Sequence, residues 1–232
     1  MKKYSVKIFF SLILCIGYLF LLRGSGNIAA GFQKNPMLVI DAGHGGSDPG
    51  MVGIDQIEEK TINLEIAKKV KLLLEKNDFQ VVMTREADIG LYDSEISNKK
   101  VQDMQKRIEL LRMYQPELCI SIHQNSYPDE SVAGPQVFYY KDSEQGKLLA
   151  EILQSELNRI LEIERPRMAK ANSTYYLLKR SPCVLNIVEC GFLTNRVEAE
   201  LLKSSKYQEK VAEAIVEGIC LYQKKILHSK ES

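Results

Sequence analysis

The chain has 232 residues, 45% hydrophobic and 26% charged, with a formal net charge of +1. That composition suits one globular domain whose core needs no disulfides. Four of the 31 basic residues (Lys2, Lys3, Lys7 and Arg23) lie in the first thirty positions; the rest of the chain sets 27 bases against 30 acids, about −3, and lacks the basic surface that nucleic acid requires.

The N-terminus departs from the rest. A basic start leads into a continuous apolar run over 8–22, and then into the small-residue segment GSGNIAA. That order is the order of a secretory signal. The run is short for a membrane-spanning helix, which needs ~20 residues. Residues 1–30 are therefore expected to be a signal peptide or an N-terminal membrane anchor, and the protein to be exported across the cytoplasmic membrane. A linker over 31–36 ends at Pro36, one domain fills 37–227, and 228–232 form a polar tail. Cys119, Cys183, Cys190 and Cys220 show no Cys-x-x-Cys spacing and are read as buried thiols.

Strand-like runs rich in β-branched residues occupy 37–42, 79–85, 118–123, 135–141, 175–179 and 184–189. Helical patterns separate them. Ile62, Ile66, Val70 and Leu73 make one stripe, and Val211, Ala214, Ile215, Ile219 and Tyr222 make another, with Ser204 or Ser205 as its cap. Further helices are predicted over 99–114 and 143–163. Alternation of this kind predicts a single α/β domain. Its twisted, mostly parallel sheet of about six strands has helices on both faces, because strands this apolar need cover on each side.

The domain has two histidines, and each lies at the carboxyl end of a predicted strand. His44 sits in the glycine-rich turn of VIDAGHGGSDPG, and His123 closes LCISIH. The third, His228, falls in the polar tail. Carboxyl ends of strands are where open α/β sheets bind ligands. Phosphate is disfavoured at the glycine turn, because Ser47, Asp48 and Pro49 follow instead of a lysine, and Asp48 repels anions. Two carboxylates point at the same edge. At ~100° per residue Glu59 falls on the inward stripe of its helix, whereas Glu58 faces solvent. Glu189 finishes the apolar run VLNIVE. A helix cap is the plain alternative for Glu59, and a structural salt bridge for Glu189. Two imidazoles and a carboxylate with one open position are ligands of the kind used by catalytic zinc, with the remaining carboxylate free to act as a base.

In order along the chain, VIDAGHGGSDPG, EEKTINLEIA, SIHQN and VLNIVECGFLTN resemble the motifs of the zinc-dependent N-acetylmuramoyl-L-alanine amidases, the type-3 family of cell-wall hydrolases. The resemblance covers nearly all of 37–225. It implies one Zn2+ per chain on His44, Glu59 and His123, Glu189 as the catalytic glutamate, and a six-stranded α/β domain. It implies a substrate of peptidoglycan glycan strands bearing stem peptides, cut between muramic acid and L-alanine. Asn125 and Asn195 are candidate substrate contacts. The plan of export segment plus catalytic domain looks most like the germination-specific branch that processes spore cortex, which implies a functional link to a muramic acid deacetylase on the route to muramic-δ-lactam. The cell wall or the forespore intermembrane space is the implied location. No autoinhibitory plug is evident over 124–188, so an exported accessory protein is expected to position or activate the enzyme. A catalytically inactive peptidoglycan binder and a zinc peptidase cutting within the stem peptide are the alternatives.

Overall fold

The computed structural model describes residues 35–231. The expected export segment and most of the linker lie outside them. Six strands, β1 (Met37–Ala42), β2 (Gln80–Met83), β3 (Leu118–Asn125), β4 (Gln136–Tyr140), β5 (Lys170–Asn172) and β6 (Val184–Phe192), form one sheet. Their spatial order is β2-β1-β3-β6-β4-β5, and only the β4–β6 pairing is antiparallel. Among the described residues there are six α-helices: α1 (Glu59–Lys76), α2 (Lys99–Tyr114), α3 (Glu144–Ile160), α4 (Tyr176–Arg180), α5 (Arg196–Lys203) and α6 (Ser205–Glu231). None of them is long and apolar enough to cross a membrane. The single α/β domain with a mostly parallel six-stranded sheet is the fold that the sequence predicts.

The strands alternate between two apolar layers, as the period of 2 requires. Leu38, Ile40, Ala42, Leu118, Ile120 and Ile122 pack with α1, α3 and α6, through side chains such as Ile66, Leu153 and Ile215. Val39, Cys119, Leu185 and Ile187 face the other way, onto Ile108 and Leu111 of α2 and Leu177 and Leu178 of α4. Fully burying a leucine or isoleucine contributes ~1.5–3 kcal/mol, so the three-helix layer carries most of the apolar stabilisation. On the thinner α2 side the same alternation carries Asp41, Ser121, His123 and Glu189 past the end of the apolar layer. The four described cysteines are free thiols; Cys119 and Cys190 are buried, Cys183 and Cys220 partly so.

Four elements differ from the sequence-based expectation. Residues 175–179, expected as a strand, instead lead into and form most of α4. In a strand Leu177 and Leu178 would face opposite sides, whereas a helical turn buries both against the α2-side layer. The sixth strand is β5, three residues of Lys170–Asn172 at the sheet edge with no apolar pattern to announce it. Helix α5 was not expected at all. The last helix begins at Ser205, as expected, but continues to Glu231, into the stretch expected as a polar tail.

Candidate active site

Four predicted residues meet at the carboxyl edge of the parallel strands. His44 follows β1, Glu59 opens α1, and His123 and Glu189 are register partners on β3 and β6. His44, Glu59 and His123 each offer a donor atom, and these atoms lie within 4.8 Å of one another. The Glu59 carboxylate is their centre. Its Oε1 accepts from His123 Nδ1 at 2.9 Å, and its Oε2 lies 3.2 Å from His44 Nε2. Glu59 is 3% exposed and spends no oxygen on capping its own helix. Burial alone would raise its pKa, but hydrogen bonds from His123 and His44 hold it far below the usual carboxylate range.

Outside this trio, a further layer fixes the orientation of each group. Asp48 Oδ2 accepts from His44 Nδ1 at 2.9 Å, leaving Nε2 to face Glu59. The backbone N–H groups of Met51 and Gln124 and the Asn63 amide also donate to Glu59, at 2.9, 3.1 and 3.1 Å. His44 itself adopts a left-handed φ of 61°, a strained choice for a residue with a side chain. Arg107 holds it there, donating from Nη2 to His44 O at 2.8 Å and from Nη1 to Ala42 O at 2.9 Å. Gly43 has to lack a side chain, because a Cβ there would lie 2.3 Å from the His123 ring.

Glu189 stands apart from the trio. It is 9% exposed, and its Oε2 has no hydrogen-bond partner. Burial, with the Glu59 charge adding to it, outweighs the two histidines and pushes its pKa up to about 7. A cavity of about 300 Å³ opens over His44, His123 and Glu189, and Met104, Tyr175 and Leu177 give it apolar lining. Tyr175 and Leu177 reach it because 176–180 form a helix.

Sequence reasoning missed several members of this arrangement. The sequence marks Asp48 only as a group that repels anions, and the structure shows it orienting His44. Arg85 ends an apolar run with a charge, the same signal that picked out Glu189 (2% and 9% exposed, respectively). Arg107 carries no such signal inside a polar helix. Asn125 and Asn195 do not line the cavity. Asn125 Oδ1 accepts from Ser126 N, and Asn195 caps α5 by accepting from Glu198 N at 3.0 Å.

The donor set suits a metal ion: two imidazoles and a carboxylate converge on one point, each is held by outer partners, and the Gly43 cradle leaves room beside His123. Residues 38–220 match the family described as N-acetylmuramoyl-L-alanine amidase. The chain is 38% identical over 189 residues to the germination-specific N-acetylmuramoyl-L-alanine amidase of Bacillus subtilis, covering 80% of this chain and 79% of that one. Among solved structures it is similar to the CwlD amidase from Clostridioides difficile in complex with the GerS lipoprotein, at 37% identity and a TM-score of 0.80, over 82% of this chain and 99% of that one. It is also similar to an N-acetylmuramoyl-L-alanine amidase from Clostridium difficile 630, at 31% identity and a TM-score of 0.73, over 82% and 97%. Since the matched region spans most of the described fold and includes His44, Glu59, His123 and Glu189, the chain belongs to the N-acetylmuramoyl-L-alanine amidase family.

Proposed function

We propose that this amidase uses one zinc ion on His44, Glu59 and His123 to hydrolyse the amide between N-acetylmuramic acid and L-alanine in spore-cortex peptidoglycan, with Glu189 as its acid–base group. The observation that carries the reading is the pairing of a three-donor cluster with a buried, unpartnered carboxylate one strand away. Zinc bound there would polarise the scissile carbonyl and acidify a water to a pKa near 7. The protein residues supply the rest. Glu189 accepts a proton from the attacking water and returns it to the leaving alanine nitrogen. A carboxyl with a pKa near 7 can do both at neutral pH, and a cation on its neighbours would draw that pKa down towards the base form. The apolar wall of Met104, Tyr175 and Leu177 limits bulk water over the bond. The cortex role is supported by likeness to the germination-specific amidase; an enzyme in that role would act outside the cytoplasmic membrane, in the cell wall or the forespore intermembrane space. There a muramic acid deacetylase would act on the bared muramic acid towards muramic-δ-lactam. An exported accessory protein is supported by the relative solved with a lipoprotein.

The test uses the full-length chain and mass analysis of digested muropeptides. The amidase reading expects free stem peptides and bare glycan; alanine left on muramic acid would mean a peptidase, and no release a binder. His123→Ala should lose zinc and activity together. Glu189→Ala should keep zinc and lose ~10²–10⁴-fold in hydrolysis. Loss of zinc from that variant would make Glu189 a ligand and overturn the division of roles.

A further inference from the structure

Arg85, two residues past β2, takes no part in the chemistry above, yet it is 2% exposed. Its guanidinium stays charged, and bringing an ion out of water is costly. Burial and the nearby Arg107 both work against the charge and lower its pKa. Among the described residues its hydrogen bonds all go to backbone carbonyls. Nε donates to Ala42 O at 3.0 Å and Nη1 to Ala87 O at 3.1 Å. Nη2 donates to Gly43 O at 2.9 Å and to Lys60 O at 2.8 Å.

The last two contacts share one nitrogen. Gly43 is the residue before His44, and Lys60 is the residue after Glu59. Nη2 therefore joins the segment carrying one imidazole to the helix turn carrying the carboxylate. Asn63 repeats the bridge from α1, donating from Nδ2 to Gly43 O and to Glu59 Oε1, each at 3.1 Å. The turn is shaped around the arginine stem as well. Gly45 has a φ of 134°, and a Cβ on it would lie 2.9 Å from Arg85 Cδ and Nε. An apolar side chain could fill such a volume without desolvating an ion, often at no loss of stability. A fork of donors is needed where two segments must be held at a set spacing, and His44 lies on a loop with strained φ while Glu59 lies on a rigid helix.

We propose that Arg85 is a positioning residue for the metal centre, its Nη2 locking the His44 turn to the first turn of α1 so that the His44–Glu59 spacing is set before a metal arrives. The proposal rests on the zinc reading above. The test follows cobalt(II), a spectroscopically visible stand-in for zinc, bound to the full-length chain, to Arg85→Lys and to Leu157→Ala. Lysine keeps the charge and loses the fork. Leu157→Ala opens the core on α3, away from the site. Arg85→Lys should bind cobalt ~10–100-fold more weakly, the range for lost outer partners of metal ligands, and with an altered visible absorption spectrum. Leu157→Ala should lose thermal stability and bind cobalt as the parent does. Parent-like affinity and spectrum in Arg85→Lys, whatever its melting temperature, would overturn the proposal. So would weakening of equal size in Leu157→Ala. If Arg85→Lys does not fold, Arg85→Met, which fills the same volume without the charge or the fork, is read by the same measure: weakened cobalt binding supports the clamp and parent-like binding overturns it. A parent chain that binds neither cobalt nor zinc overturns the zinc reading and the clamp with it, a result distinct from a variant that matches its parent.

Discussion

His44 stands between two carboxylates, Glu59 on one ring nitrogen and Asp48 on the other. Burial pulls its pKa down, but the hydrogen bonds and charges of these two acids outweigh that and raise it to about 9 in the metal-free protein. At pH 7 the ring is therefore an imidazolium, and a metal has to displace its proton. Zinc binding at pH 7 should release the His44 proton together with the part of a proton that Glu189 holds at that pH, read by calorimetry in buffers of different ionisation enthalpy. The sign follows from the raised value. The charged ring stabilises the metal-free fold fully below its ordinary value of 6.5, and this is lost as pH rises through about 9. Zinc affinity should strengthen over the same alkaline range. Asp48→Asn removes one of the two acids, so its proton release at pH 8 should shrink and its zinc affinity fall ~10–100-fold. Proton release that does not change between the two proteins would remove Asp48 from this role. His44 could be chosen from the sequence because a histidine in a glycine turn is conspicuous; Asp48 could not, because an aspartate in a loop is ordinary.

Strand β1 and helix α2 are joined below the site by charge. Arg107 Nη1 pairs with Asp41 Oδ1, and Arg107 Nε donates to Asp103 Oδ2 at 2.6 Å. Ser121 and Thr84 hydroxyls complete Asp41, at 2.6 and 2.8 Å. Burial would raise the Asp41 pKa, but the Arg107 guanidinium and these hydroxyls hold it to about 2. A folded value below the unfolded one stabilises above the unfolded pKa and is lost on acidification. That contribution, on the order of 2 kcal/mol, should disappear as pH falls from about 4 to about 2. Arg107→Met leaves the Asp41 charge buried without its guanidinium partner, so it should cost ~3–5 kcal/mol at pH 7. Its deficit should narrow at pH 3, where Asp41 in the variant is protonated. Urea unfolding at the two pH values checks both statements; a deficit unchanged with pH would show that packing, and not charge, sets the cost.

On the scale of the whole molecule, the site is a junction. Its groups come from the turn after β1, the start of α1, and the ends of β3 and β6, which span both apolar layers. Metal binding should therefore stabilise the fold globally. Zinc at about 100 times its Kd should add ~2.7 kcal/mol to unfolding, seen as a shifted urea midpoint that a chelator reverses. A midpoint indifferent to the chelator would mean that the zinc ligands are assembled in the unfolded chain as well, or that zinc does not bind. The four thiols should contribute no cross-link to this stability, since the structure leaves each of them free, so a reductant should not move the midpoint.

The sequence by itself determined the α/β class, the mostly parallel six-strand sheet and the convergence of His44, Glu59, His123 and Glu189. Those features write themselves locally: apolar runs of period 2 or 3.6, and polar residues placed where such runs stop. Tertiary structure decided the rest. Leu177 and Leu178 could belong to a strand or a helix until the α2-side layer offered a surface that takes both. β5 exists because β4 offers a free edge to a three-residue segment, not because Lys170–Asn172 prefers extension. Asn195 became a helix cap only once α5 formed behind it. The outer partners were the least legible. Asp48, Asn63, Arg85 and Arg107 act through hydrogen bonds to groups 2 to 66 positions away. A hydrogen bond depends on distance and angle in three dimensions, and the sequence pattern of these four residues carries neither.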